Sequence, residues 1–171
     1  MTDIFAPFVS NDWLDRIFAF VREHPQHSFQ LLTKRAGRQR HYFPRHPPPD
    51  NLWFGVSVEQ RRWLARLDRL RATPAALRFV SFEPLLEDLG ELNLTGIDWA
   101  IVGSESDPWN RARPMQLDWV RHIRDQCVAA SVAFFFKQNS ERGGKKLPLP
   151  ELDGRQWRQF PEGRGREEAR P

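Results

Sequence analysis

The chain has 171 residues, 40% of them hydrophobic and 28% charged, with a formal net charge of +4; this is enough for one hydrophobic core and one domain. No run approaches the roughly 18 consecutive apolar residues of a membrane span, and residues 1–7 lack the basic and apolar regions of a secretory signal, so a cytoplasmic protein without membrane contact is expected. Cys127 is the sole cysteine, which excludes an internal disulfide and leaves no multi-cysteine iron–sulfur or zinc site.

In chain order, residues 11–23 read as an amphipathic helix, with Asn11 as its cap, Trp13, Ile17 and Val21 on one face and Pro25 beyond its end. A strand over 29–33 runs into a basic stretch through Tyr42 and Phe43, and Pro44, Pro47, Pro48 and Pro49 stiffen the loop before a strand over 52–58. A helix over about 59–71 places Trp63, Leu67 and Leu70 inward and Arg61, Arg62, Arg66 and Arg69 outward, with Glu59 facing Arg62. Strands over 78–82 and 98–103 flank a loop from Leu85 to Gly96. After the turn-rich Pro108 to Pro114, a helix over about 116–130 packs Val120, Ile123 and Cys127 inward. A phenylalanine-rich strand over 132–137 follows. Asp153-Gly154 signals a turn, and Trp157 and Phe160 are placed to tack the last segment onto the body. Residues 1–161 form the expected domain, and the Gly-, Arg- and Glu-rich 162–171 read as a disordered tail.

Short continuous apolar runs separated by helices mark strands buried on both faces of a parallel sheet. The fold class is therefore α/β, an incomplete TIM-like (β/α) barrel or curved open sheet of about five strands, since eight units need about 250 residues. The strands at 29–33 and 132–137 are the expected sheet edges, which favours self-association or pairing with another chain.

Each apolar run ends on polar or charged residues, and in parallel α/β folds such strand ends share one rim where ligands bind. That rim would gather Lys34, Glu59, Ser81, Glu83, Gly103, Glu105 and Lys137. Pro84 restricts Glu83 to extended backbone, so its carboxylate leaves the strand in a set direction. It can accept bonds from a ribose, an amine or a guanidinium, act as an acid/base, or form a salt bridge with Lys34 or Lys137. Gly103-Ser104-Glu105-Ser106 allows close backbone approach to a ligand, but has neither the spaced glycines of a phosphate loop nor a Gly-x-Ser-x-Gly elbow. The five histidines show no metal spacing. The excess of Arg over Lys admits a nucleic-acid partner.

The ordered set 26–35 (QHSFQLLTKR), 55–59 (GVSVE), 78–86 (RFVSFEPLL), 112–115 (ARPM), 124–127 (RDQC), 134–138 (FFFKQ) and 153–155 (DGR) resembles an uncharacterised phage and prophage family known as Gp-thirty-seven/Gp-sixty-eight. That family is in turn similar to radical S-adenosylmethionine (SAM) barrel enzymes. The resemblance implies a SAM-type ligand at the rim and a three-cysteine cluster motif in a longer N-terminal portion, of which this sequence has nothing. It also implies a Gly-Gly-Glu-Ser-Gly turn, which stands here as Gly103-Ser104-Glu105-Ser106-Asp107. The resulting expectation is an N-terminally truncated, cluster-less relative, not catalytically competent alone, with an N-terminal companion fragment as one possible partner. Two alternatives stand beside it: a nucleotide or nucleic-acid binding module using the rim, and a cofactor-free enzyme with Glu83 or Glu105 as acid/base. Catalytic residues are not assigned.

Overall fold

Residues 52–57 are buried without interruption, as are most of 77–82 and all of 99–103, and strands buried on both faces need a layer above and below them. In the computed structural model, which describes residues 3–43, 45–107, 111–140 and 146–161, they form the middle of one curled sheet. Its strands are β1 (Phe29–Thr33), β2 (Leu52–Ser57), β3 (Leu77–Phe82), β4 (Trp99–Gly103), β5 (Ala133–Ser140) and β6 (Lys146–Pro148). They lie in chain order; β1 to β5 are parallel and β6 is antiparallel to β5. The sheet curls into a half-barrel, as the sequence pattern predicts.

The helices are α1 (Asn11–Glu23), α2 (Ala36–Tyr42), α3 (Ala65–Arg71) and α4 (Leu117–Ala129). All four contribute to one core with the outward strand residues Leu31, Phe54, Val56, Val80, Val102, Phe134 and Phe136. The inward residues Trp53, Leu77, Phe79, Trp99 and Ile101 form a second, smaller cluster. Register stacks that inner face in layers: Gly55, Phe79, Trp99 and Ala133 lie beneath Ser57, Ser81, Ile101 and Phe135.

Several local expectations are corrected. Ser10, not Asn11, caps α1, its Oγ accepting from the Trp13 amide at 3.3 Å. The buried face of α1 is Leu14, Phe18 and Val21, which turns Trp13 outward. The basic stretch after β1 is itself helical, as α2. The helix expected over 59–71 is a 3-10 turn (Arg61–Trp63) followed by α3, and Arg66 is buried. The edge expected at β5 is covered: Phe136 donates its amide to the Trp157 carbonyl at 2.9 Å, and Phe134 accepts from Gln159 at 3.0 Å. Trp157 packs on Phe134, and Phe160 on Trp99 and Phe135. Ahead of Trp157, β7 (Glu151–Leu152) and β8 (Arg155–Gln156) join through Asp153-Gly154, both at positive φ, the turn that this dipeptide favours. The expected tail at 162–171 and part of the 108–114 loop lie outside the described residues.

Candidate functional site

Because β1 to β5 are parallel, their carboxyl ends share one rim; Lys34, Glu59, Glu83 and Glu105 lie just past those ends, and Lys137 stands within the longer β5, next to Gln138, which pairs with Gly103 at the end of β4. The hydrogen bonds divide them into three groups.

The central group is Ser81, Glu83, Gly103 and Lys137. The Ser81 hydroxyl donates to Glu83 Oε2 at 3.0 Å, and Lys137 Nζ lies 3.2 Å from that oxygen and 3.1 Å from Oε1. Glu83 is 17% exposed and Lys137 51%. Pairing shifts between Val102 and Gly103, so Val102 faces Phe136, Gly103 faces Gln138, and Lys137 is the extra residue of a β-bulge. Bulges re-aim side chains at sheet rims. Glu83 Oε1 occupies the space where a Cβ on residue 103 would stand, with Gln138 Cγ next nearest. The glycine therefore admits the carboxylate to the top of the inner face.

Lys34 and Glu59 form a second group. Glu59 is buried between the Lys34 ammonium and Arg66 Nη1, the latter at 2.9 Å; Arg66 also donates to the Ser57 carbonyl at 2.7 Å. Burial pushes the Glu59 carboxyl up, but the hydrogen bond and charge of Lys34, with backbone and Arg66 contributions, outweigh it and hold it below its ordinary range. Asp3 closes this side: its carboxylate accepts from the Thr33 hydroxyl at 2.7 Å and from the Lys34 amide at 3.0 Å.

Glu105 belongs to a third group. Arg113 grips it through Nε at 2.9 Å, Nη2 at 2.6 Å and its amide at 2.8 Å, which brings the carboxyl down to about 2. The Ser140 hydroxyl donates to the Glu105 carbonyl at 2.7 Å, and the Gln138 side-chain amide to the Ser104 carbonyl at 2.7 Å, so backbone and β5 together set the turn.

The expected partners were one residue type right and one position wrong: Glu59 meets Arg66 rather than Arg62, whereas Glu83 meets Lys137, one of its two anticipated partners. Asp3, Arg66, Ser140 and the bulge escaped sequence reasoning. Arg113 stood in a recognised motif, but nothing in its spacing tied it to Glu105.

A family model described as Protein of unknown function (DUF5131) matches residues 1–161. The chain belongs to this family. No curated protein and no solved structure matches it.

Chemically, Glu59 and Glu105 are permanent anions at neutral pH, already paired, and are acceptors rather than proton donors. A [4Fe–4S] cluster needs several thiolate ligands, and this sequence supplies Cys127 alone. Cys127 is fully buried on α4, where burial pushes its thiol up to about 12, and among the described residues no group of three or more His, Cys, Asp or Glu could hold a metal ion. A hollow of about 800 Å³ opens at the amino ends of β1 and β2. Its Arg22 and Asn51 are bonded to the carbonyls of Pro47, Val21, His24 and His27, so these groups serve the fold.

Proposed function

We propose that this chain, as its resemblance to the phage and prophage family implies, is a small-molecule-binding half-barrel. Its rim holds a zwitterionic or anionic ligand of the SAM or nucleotide class, and its own residues do not carry out reductive cleavage. The observation that carries this reading is the Glu83–Lys137 pair, one member mostly buried and the other half exposed, at the top of the inner face beside Gly103. A carboxylate and an ammonium side by side match a ligand with an amine and a carboxylate, or an amine and a phosphate. Bound SAM would bring a methionine moiety of that charge pattern; Glu83 would receive its amine and Lys137 its carboxylate. The acid/base reading has less support, because Glu105 sits far from the pKa that proton transfer at neutral pH requires.

Only one wall of a barrel stands behind this pair, so the ligand keeps much of its surface in water and binding is weak, on the order of 0.1 mM. Calorimetry with SAM and with adenine nucleotides tests the proposal. Glu83→Gln keeps the shape and removes the charge, and is expected to weaken binding by about tenfold or more. Gly103→Ala, which drives the carboxylate from its niche, should do the same. Tight binding indifferent to both changes, or no detectable binding, would overturn the reading.

A further inference from the structure

Between Thr33 and Pro49 the chain has Lys34, Arg35, Arg38, Arg40 and Arg45 and not one Asp or Glu; residues 60–72 add Arg61, Arg62, Arg66, Arg69 and Arg71 against Asp68 alone. These two segments carry α2 and α3. The helices follow the neighbouring parallel strands β1 and β2, pack into the same core and touch each other, so they run side by side on the outside of the half-barrel.

Half of these cations serve the fold. Arg38 binds the Ala6 and Val9 carbonyls, Arg61 pairs with Asp88, Arg66 with Glu59 and Arg71 with Asp68, and Lys34 closes on Glu59. Among the described residues, Arg35, Arg40, Arg45, Arg62 and Arg69 are exposed and have no ion pair. Arg62 rests over Trp63 with its carbon 5.2 Å from the ring centroid. Five exposed guanidiniums without an ion pair on two touching segments repel one another, and an anionic partner relieves that repulsion.

We propose that the outer face of α2 and α3 binds the phosphate backbone of double-stranded nucleic acid without reading its sequence. The inference is independent of the rim. Arginine supplies the planar fork that grips phosphate through two bonds, and the chain has 22 Arg against 4 Lys. Arg40 lies on α2 and Arg69 on α3, Arg35 and Arg45 flank α2, and Arg62 lies in the 3-10 turn before α3, so the cations are spread over both packed helices and their ends, as contact with several phosphates requires. Trp63 is the one exposed Phe, Tyr or Trp ring of these two segments among the described residues, and Arg62 and Arg66 lie over it, the latter at 4.2 Å, whereas a single-strand site stacks successive bases on several rings. A membrane-binding face would add a stripe of apolar side chains free to insert, and among the described residues Trp63 is the one large exposed hydrophobic side chain of these two segments.

Fluorescence anisotropy of the full chain with a labelled random-sequence duplex of about 20 base pairs, across 50–200 mM salt, is the test. Five phosphate contacts give a log–log slope of about −4.5, or roughly 500-fold weaker binding over that range. Arg40→Gln with Arg45→Gln, or Arg62→Gln with Arg69→Gln, should each flatten the slope by about 2, whereas Arg158→Gln, outside this face, should leave it unchanged. Unaltered circular dichroism establishes that the variants are folded. No binding at low salt, slopes indifferent to both double changes, preference for the single strand, or equal binding of polyglutamate or anionic vesicles would each overturn the proposal.

Discussion

Adding one methyl group to Gly55 tests the inner face of the half-barrel directly. Gly55 lies in β2, buried, with the Phe79 ring of β3 across its missing side chain. Its φ is not among the positive values, so the backbone accepts alanine. The added Cβ, however, would clash with Cε1, Cε2 and Cζ of Phe79, nearer to each than non-bonded carbon atoms approach. That ring is 2% exposed and packs on Trp99 with centroids 5.9 Å apart, so it has no free direction of retreat. Overpacking of this kind costs about 1–3 kcal/mol. Stiffening the unfolded chain returns about 0.4–1 kcal/mol. The expected net loss is about 1–2 kcal/mol, which for a chain of this size lowers Tm by about 2–8 °C. Urea denaturation followed by tryptophan fluorescence and circular dichroism measures it. Phe79→Leu makes room for the methyl, so the double variant should be more stable than the summed single losses by about 1 kcal/mol or more. A Gly55→Ala protein as stable as the parent, or strictly additive losses, would refute the packing argument.

Two further outcomes test the charged groups. Arg66→Met leaves buried Glu59 with Lys34 as its one remaining cation and should cost about 3 kcal/mol in urea denaturation. Because the folded Glu59 carboxyl is depressed, the stability it contributes is full at neutral pH and is lost as pH falls; the variant should lose stability at a higher pH than the parent. Arg113→Gln should return the Glu105 carboxyl from about 2 toward its ordinary 4.5, read by carbon NMR titration, with the parent's Glu105-linked stability present above that ordinary value and lost between the two.

The strand–helix alternation and the common rim are legible in the order of the residues alone. Runs such as Trp53–Val56 and Ala100–Val102 are apolar without a break because both faces of a central parallel strand are dry, and that burial is written in consecutive residues. Residues at the ends of such runs must then share an edge, so Glu83 and Lys137 could be placed together without coordinates. Contacts between distant segments set the rest. Helix α2 has no apolar repeat and exists because Ala36, Gln39 and Tyr42 meet a core built by distant segments. Which cation answers each carboxylate depends on side-chain reach across elements, as with Glu59 and Arg66 or Glu105 and Arg113. The bulge that sets Lys137 arises from pairing between β4 and β5, and the covering of β5 from backbone bonds to 157–159. A one-residue slip in register or a hydrogen bond to a remote carbonyl leaves no periodic mark on the chain, since neither changes which residues are apolar.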